Sequence, residues 1–141
     1  MMQGLFLEDL SVGQTAEFSR TVGEADIQAF ADVTGDTNPV HLDADYAATT
    51  SFGERIAHGM LSAGYISAAL GTTLPGPGAV YLSQSLNFKR PVRIGDTVVV
   101  KVAVTAIDEA KGRVTLSTTC IVGRKAVVDG EAVVLVPRKG A

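Results

Sequence analysis

With 141 residues, 46% of them hydrophobic and 19% charged, the chain is long enough to bury a core and too apolar to be disordered. Its net charge of -3 offers no basic face of the kind nucleic acid needs, so no nucleic-acid partner is expected. A single cysteine, Cys120, rules out an internal disulfide and fits a reducing compartment. The opening residues meet Glu8 and Asp9 without a basic stretch, so no signal peptide is expected and the location predicted is cytoplasmic.

Phe6 to Gly13 reads as an entry segment ending in a turn, and Thr15 to Val22 as a first strand at a sheet edge. A helix is predicted from Glu24 to Val33. Gly23 or Thr21 would cap it, and Glu24 and Asp26 suit the positive end of its dipole. Ile27, Phe30 and Val33 form its apolar stripe, and Gly35 ends it.

The next stretch, Thr34 to Gly59, holds both histidines of the chain. Pro39 biases Asn38 toward extended backbone and removes a donor, so Asp36 and His41 are expected to meet through a fixed loop, not by helical spacing. Asp43 would cap a short turn over Ala44 to Ala48.

From Gly59 to Phe88 there is no charge at all. The continuously apolar part, Gly59 to Leu70, is short of the roughly 20 residues a bilayer requires, and Pro75-Gly76-Pro77-Gly78 breaks it. A core helix is predicted, apolar or small on every side and therefore buried all round.

After the Pro-Gly turn the period becomes two. Val80, Leu82, Leu86 and Phe88 alternate with polar neighbours. Val98, Val100, Val102 and Val104 share one face of a long strand, and Val114, Leu116, Cys120 and Val122 one face of the next. Ala126 to Val136 is the last. Short turns between the long strands predict an antiparallel meander, a sheet of about five strands in all, wrapped around the apolar helix. This is an α+β fold. Val133 and Leu135 are apolar on the face opposite Ala132, Val134 and Val136, which predicts that a second subunit covers the outside of the sheet.

The block Ala31-Asp32-Val33-Thr34-Gly35-Asp36-Thr37-Asn38-Pro39-Val40-His41-Leu42-Asp43 resembles the hydratase motif of MaoC-like proteins. His58-Gly59-Met60-Leu61, Leu86-Asn87-Phe88-Lys89-Arg90-Pro91-Val92 and Gly95-Asp96 resemble further parts of that family in the same order. The likeness is strongest to the (R)-specific enoyl-CoA hydratases of polyhydroxyalkanoate synthesis and covers nearly the whole chain, residues 1–141, as one domain. It implies a hot-dog fold, a homodimer, an acyl-CoA thioester as substrate, and neither a metal nor a cofactor beyond the coenzyme A of the substrate itself.

Hydration of an enoyl thioester needs a base for water, an acid for C2, and a donor for the enolate-like oxygen. The resemblance assigns the first two to Asp36 and His41. Histidine titrates near neutrality, and a desolvated carboxyl shifts toward it. The alternative is a turn-capping Asp36 and a structural His41. Gly59, at the start of the apolar helix, has an unpaired N–H and room for a thioester carbonyl; close helix–sheet packing at the same glycine is compatible with that role.

Asn38 would orient the loop or hold the water; a purely structural role in an Asn-Pro turn is the alternative. By family match Ser67 would support the pair through a hydrogen bond, and Leu70 and Val133 would bound the acyl tunnel; an ordinary helix serine and ordinary core are the alternatives. His58 reads as a cap or carbonyl partner. Lys89 and Arg90, with Arg93, could meet the phosphates of coenzyme A, or form a solvated strand edge. No close ligand spacing joins the two histidines, so no metal site is expected. Cys120 reads as core. Two rival functions share this fold: an acyl-CoA thioesterase, against which the lack of a carboxylate on the apolar helix counts, and a non-catalytic acyl-thioester-binding module.

Overall fold

The structure, a computed structural model, describes residues 4–140. Following a single 3-10 turn at Leu7–Asp9, the elements are β1 (Thr15–Thr21), α1 (Glu24–Thr34), α2 (Pro39–Leu42), α3 (Ala44–Ala48), α4 (Gly59–Thr72), β2 (Val80–Gln84), β3 (Asn87–Phe88), β4 (Thr97–Asp108), β5 (Arg113–Val122) and β6 (Lys125–Leu135). The sheet is antiparallel and six-stranded, in the order β1-β4-β5-β6-β2, with β3 also paired to β6. It wraps α4 in the hot-dog arrangement. The extra strand relative to the predicted five comes from the 80–88 segment, which breaks into β2 and β3.

Alternation carries the core as expected. Val98, Val100, Val102 and Val104 from β4, Val114, Leu116 and Cys120 from β5, and Ala132 and Val134 from β6 are all buried in one cluster with Tyr65, Ile66, Ala69 and Leu70 of α4. Fully burying a side chain such as Ile66 contributes roughly 1.5–3 kcal/mol. The β4–β5 ladder shifts register between Val104 and Ala106, and the β5–β6 ladder between Cys120 and Ile121. Such bulges bend strands and deepen twist, which lets a flat ladder curl round a helix.

Four expectations need correction. α4 is not buried all round: Met60 is 53% exposed, and Gly64 and Ser67 on the same side are also exposed. The sheet covers only one side of the helix, and the other side is left open. Val33 is 82% exposed, because the buried face of α1 runs through Ile27 and Ala31, four residues apart. Val80, Leu82 and Phe88 do not point into the core; β2 is an edge strand exposed on both faces. Finally, Pro39 does not leave a plain loop. It stands at the first position of the one-turn helix α2, where the missing N–H costs nothing, and His41 rides on that turn.

Candidate active site

The segment between α1 and α4 is an overhang on the sheet, and its local chemistry explains its shape. Gly35 ends α1 with φ of 80°, a left-handed conformation that favours glycine. Asp36 Oδ1 accepts from the Asn38 N–H at 3.3 Å, and Asn38 Oδ1 accepts from the Val40 N–H at 3.1 Å, which starts α2. Asp43 then caps α3 through the N–H groups of Asp45 and Tyr46. Residues 56 and 57 return beside the sheet: Ile56 bridges Arg93, and the Ala57 N–H donates to the Val92 carbonyl at 2.7 Å.

These turns bring Asp36, His41 and His58 together, with one ligand-type atom of each within 4.8 Å of the other two. His41 is buried, and its Nδ1 lies 2.8 Å from the Ile56 carbonyl. A carbonyl only accepts, so Nδ1 carries the proton and Nε2 keeps a lone pair. His58 stacks on it, with ring centroids 3.9 Å apart, and is backed by Phe30 at 4.6 Å. His58 Nε2–H donates to the Asp36 carbonyl at 2.9 Å, while Nδ1 is enclosed and has no partner among the described residues. Burial holds the His41 imidazole below its ordinary value of 6.5. The Ile56 carbonyl opposes this, His58 adds to it, and Asp36 opposes it.

A cleft of about 460 Å³ opens beside the group. Asp36, His41, His58 and Gly59 line it, with Phe52, Phe88, Lys89 and Arg90 toward its walls. Gly59 opens α4, so helix geometry leaves its N–H without an intrahelical acceptor. A Cβ at Gly59 would meet the Phe88 ring at 2.7 Å, so only glycine leaves the cleft floor clear.

The predicted residues divide by position. Asp36, His41, Gly59, Lys89 and Arg90 share the cleft. Lys89 is paired with Asp129 at 2.8 Å, and Arg90 donates to the Ala126 carbonyl at 2.6 Å. Asn38 acts as the cap of α2 and is not part of the cleft lining. Ser67 is not brought to the pair within this chain, because it faces away on α4. It borders a second, apolar cavity of about 430 Å³ with Phe30, Met60, Tyr81 and Leu82. Leu70 is core and touches a small cavity of about 110 Å³ beside Ser67, and Val133 is half-buried on the outer face of β6. Neither borders the Asp36–His41 cleft.

Sequence reading missed the stacking of His58 on His41. It also missed Arg55, whose Nε donates to the His41 carbonyl at 2.7 Å, and for which no local pattern exists. Cys120 is core as expected, its thiol pushed up to about 12 by burial.

An antiparallel sheet curled around α4 defines a hot-dog protein, and an acid, a histidine with a free Nε2 and an uncapped helix start share one cleft in it. The MaoC-like domain profile matches residues 9–125, and the chain belongs to that family. It is 57% identical over 135 residues to an (R)-specific enoyl-CoA hydratase of Rhodospirillum rubrum, covering 96% of this chain and 94% of that one. To a 3-hydroxybutyryl-CoA dehydratase of Methylorubrum extorquens it is 55% identical over 135 residues, covering 96% and 86%. The unliganded R-hydratase of Pseudomonas aeruginosa superposes with a TM-score of 0.92 at 51% identity, covering 96% of this chain and 88% of that one. Among the described residues no helix is long and apolar enough to cross a membrane.

Proposed function

We propose that the chain is a hydro-lyase that adds water to trans-2-enoyl-CoA, giving (R)-3-hydroxyacyl-CoA, and reverses the reaction, with residues 1–141 acting as a single domain. The observation that carries this reading is the placement of Asp36, the free Nε2 of His41 and the start of α4 around one cleft. The thioester carbonyl accepts from the Gly59 N–H, and a water held by Asp36 and His41 adds its oxygen to C3. The dyad takes a proton from that water and a proton is delivered to C2, so atoms and charge balance. The addition is redox-neutral and calls for no electron carrier. Preorganised donation to the developing enolate oxygen is worth roughly 3 kcal/mol of barrier.

Lys89 and Arg90 on the cleft wall suit the phosphates of coenzyme A. Met60 borders both the cleft and the apolar cavity lined by Ser67. We read the acyl tail as passing Met60 toward Ser67 and Leu70. We also read the working form as a homodimer. The open side of α4 and the exposed β2 edge, with Val80, Tyr81 and Leu82, are an unprotected apolar strand edge that a second copy would cover. A solution mass twice 14.6 kDa is expected by light scattering, and a monomer would contradict it.

The test is a crotonyl-CoA assay following enoyl absorbance and free thiol in one sample. Enoyl loss without thiol, with an (R)-3-hydroxy product, is expected. Thiol release would show a thioesterase instead.

A further inference from the structure

Four hydrogen bonds tie the segment 55–58 to the loop 36–41. The Arg55 Nε donates to the His41 carbonyl at 2.7 Å, and His41 Nδ1–H to the Ile56 carbonyl at 2.8 Å. The Ile56 N–H donates to the Val40 carbonyl at 3.3 Å, and His58 Nε2–H to the Asp36 carbonyl at 2.9 Å. Three of these use rings or backbone already at the site. The fourth comes from a side chain that does not line the cleft. Arg55 is anchored from behind: its two terminal nitrogens donate to the two carboxylate oxygens of Glu24, each at 2.8 Å, on the first turn of α1. The Arg55 side chain is 16% exposed.

We propose that Arg55, held by Glu24, is a positioning residue that fixes the orientation of His41 and thereby the rate of the chemical step. The proposal rests on the hydratase reading above. α2 has only four residues, so it has little stability of its own, and its last carbonyls have no intrahelical donor. A guanidinium at that carbonyl end satisfies one of them and suits the helix dipole. Its planar fork holds Glu24 and His41 at once, which a lysine ammonium cannot reproduce. The charged groups around His41 are Asp36 and His58 in the site, Arg55 with Glu24 behind it, and Lys89 and Arg90 across the cleft. Because Glu24 already meets the Arg55 charge, losing Arg55 disturbs the aim of His41 more than the field on it.

The experiment compares the full chain with Arg55→Lys, Glu24→Gln and the double variant on crotonyl-CoA. Arg55→Lys is expected to lower kcat about ten- to hundredfold with KM nearly unchanged, as a misaimed catalytic group does. Glu24→Gln is expected to lower it less, and the double variant to be no worse than Arg55→Lys, because the two side chains act as one unit. Imidazole ¹⁵N NMR reads the two histidines directly. The His41 Nδ1–H signal is expected to broaden or exchange faster in Arg55→Lys, with the melting temperature close to wild type. An unchanged kcat, or an unchanged His41 signal, overturns the proposal. A wild-type chain without enoyl hydration contradicts the functional reading, and the NMR arm then decides the brace by itself.

Discussion

The imidazole of His58 lies 3.9 Å from that of His41, centroid to centroid, and its Nε2–H is bound to the carbonyl of Asp36. One side chain therefore braces both members of the dyad. Replacing it by phenylalanine keeps the stacking surface and removes the donor. His58→Phe is expected to cost about 0.5–1.5 kcal/mol of stability, the net worth of a typical hydrogen bond, because Asp36 is exposed and its carbonyl can turn to water. It is also expected to lower kcat while leaving KM nearly unchanged. Chemical denaturation and steady-state kinetics on the same preparation check both.

Removing the reacting groups should stop turnover without unfolding the chain. Asp36→Asn and His41→Gln are each expected to reduce kcat by about 10²–10⁴, the usual worth of a positioned acid–base group. The far-ultraviolet circular dichroism should not change, because neither amide side chain demands more space than the group it replaces. An active Asp36→Asn protein would refute the assignment of the dyad.

The pH dependence follows from the direction of the His41 shift. Its folded value lies below the ordinary 6.5, so the ring is neutral at pH 7 and able to accept a proton. The acid limb of kcat/KM for hydration is therefore expected below pH 6.5. For stability the unfolded chain binds the proton more readily, so the contribution of this group is present above pH 6.5 and is lost as the pH falls through the folded value. Urea melts at pH 7.5 and pH 5.5, with NMR titration of His41, test the sign.

Gly59 separates a steric effect from an electronic one. Alanine keeps the N–H, but its methyl group meets the ring of Phe88, a residue 54% exposed. Gly59→Ala is expected to lose about 10²-fold in kcat, since a small displacement at the reacting atoms costs that much, with a small change in melting temperature. Adding Phe88→Ala should recover part of it. No recovery would place the loss in the helix start itself.

A second glycine tests the sheet edge. At Gly130 a Cβ would run into the carbonyl of Ser85, where the chain between β2 and β3 crosses over β6. The obstacle is backbone, so Gly130→Ala is expected to destabilise by about 1–3 kcal/mol. Thermal melting measures it.

Much of this molecule was legible before folding, because the signals are local. The period-two valines of β4, the apolar run of α4 and the turn signals set a sheet around a helix. Asp43 as a cap, Gly35 as a helix stop, and the juxtaposition of Asp36 with His41 also follow from short-range chemistry. Hydrophobicity could not say which apolar side chains the fold leaves uncovered. Val33, Met60 and Val80 are as apolar as their buried neighbours, and only the layer packing exposes them. Nor could it foresee partners far apart in the chain. The Arg55–Glu24 fork and the His58 stack arise because the overhang folds back onto α1 and the start of α4, and Ser67 is apart from the cleft because it lies two turns along α4 on the side the sheet leaves open. Sequence by itself marked most of the elements and the two side chains, Asp36 and His41, that the fold brings together. Tertiary structure decided how those groups are held, since the aim of a side chain depends on contacts that no local period encodes.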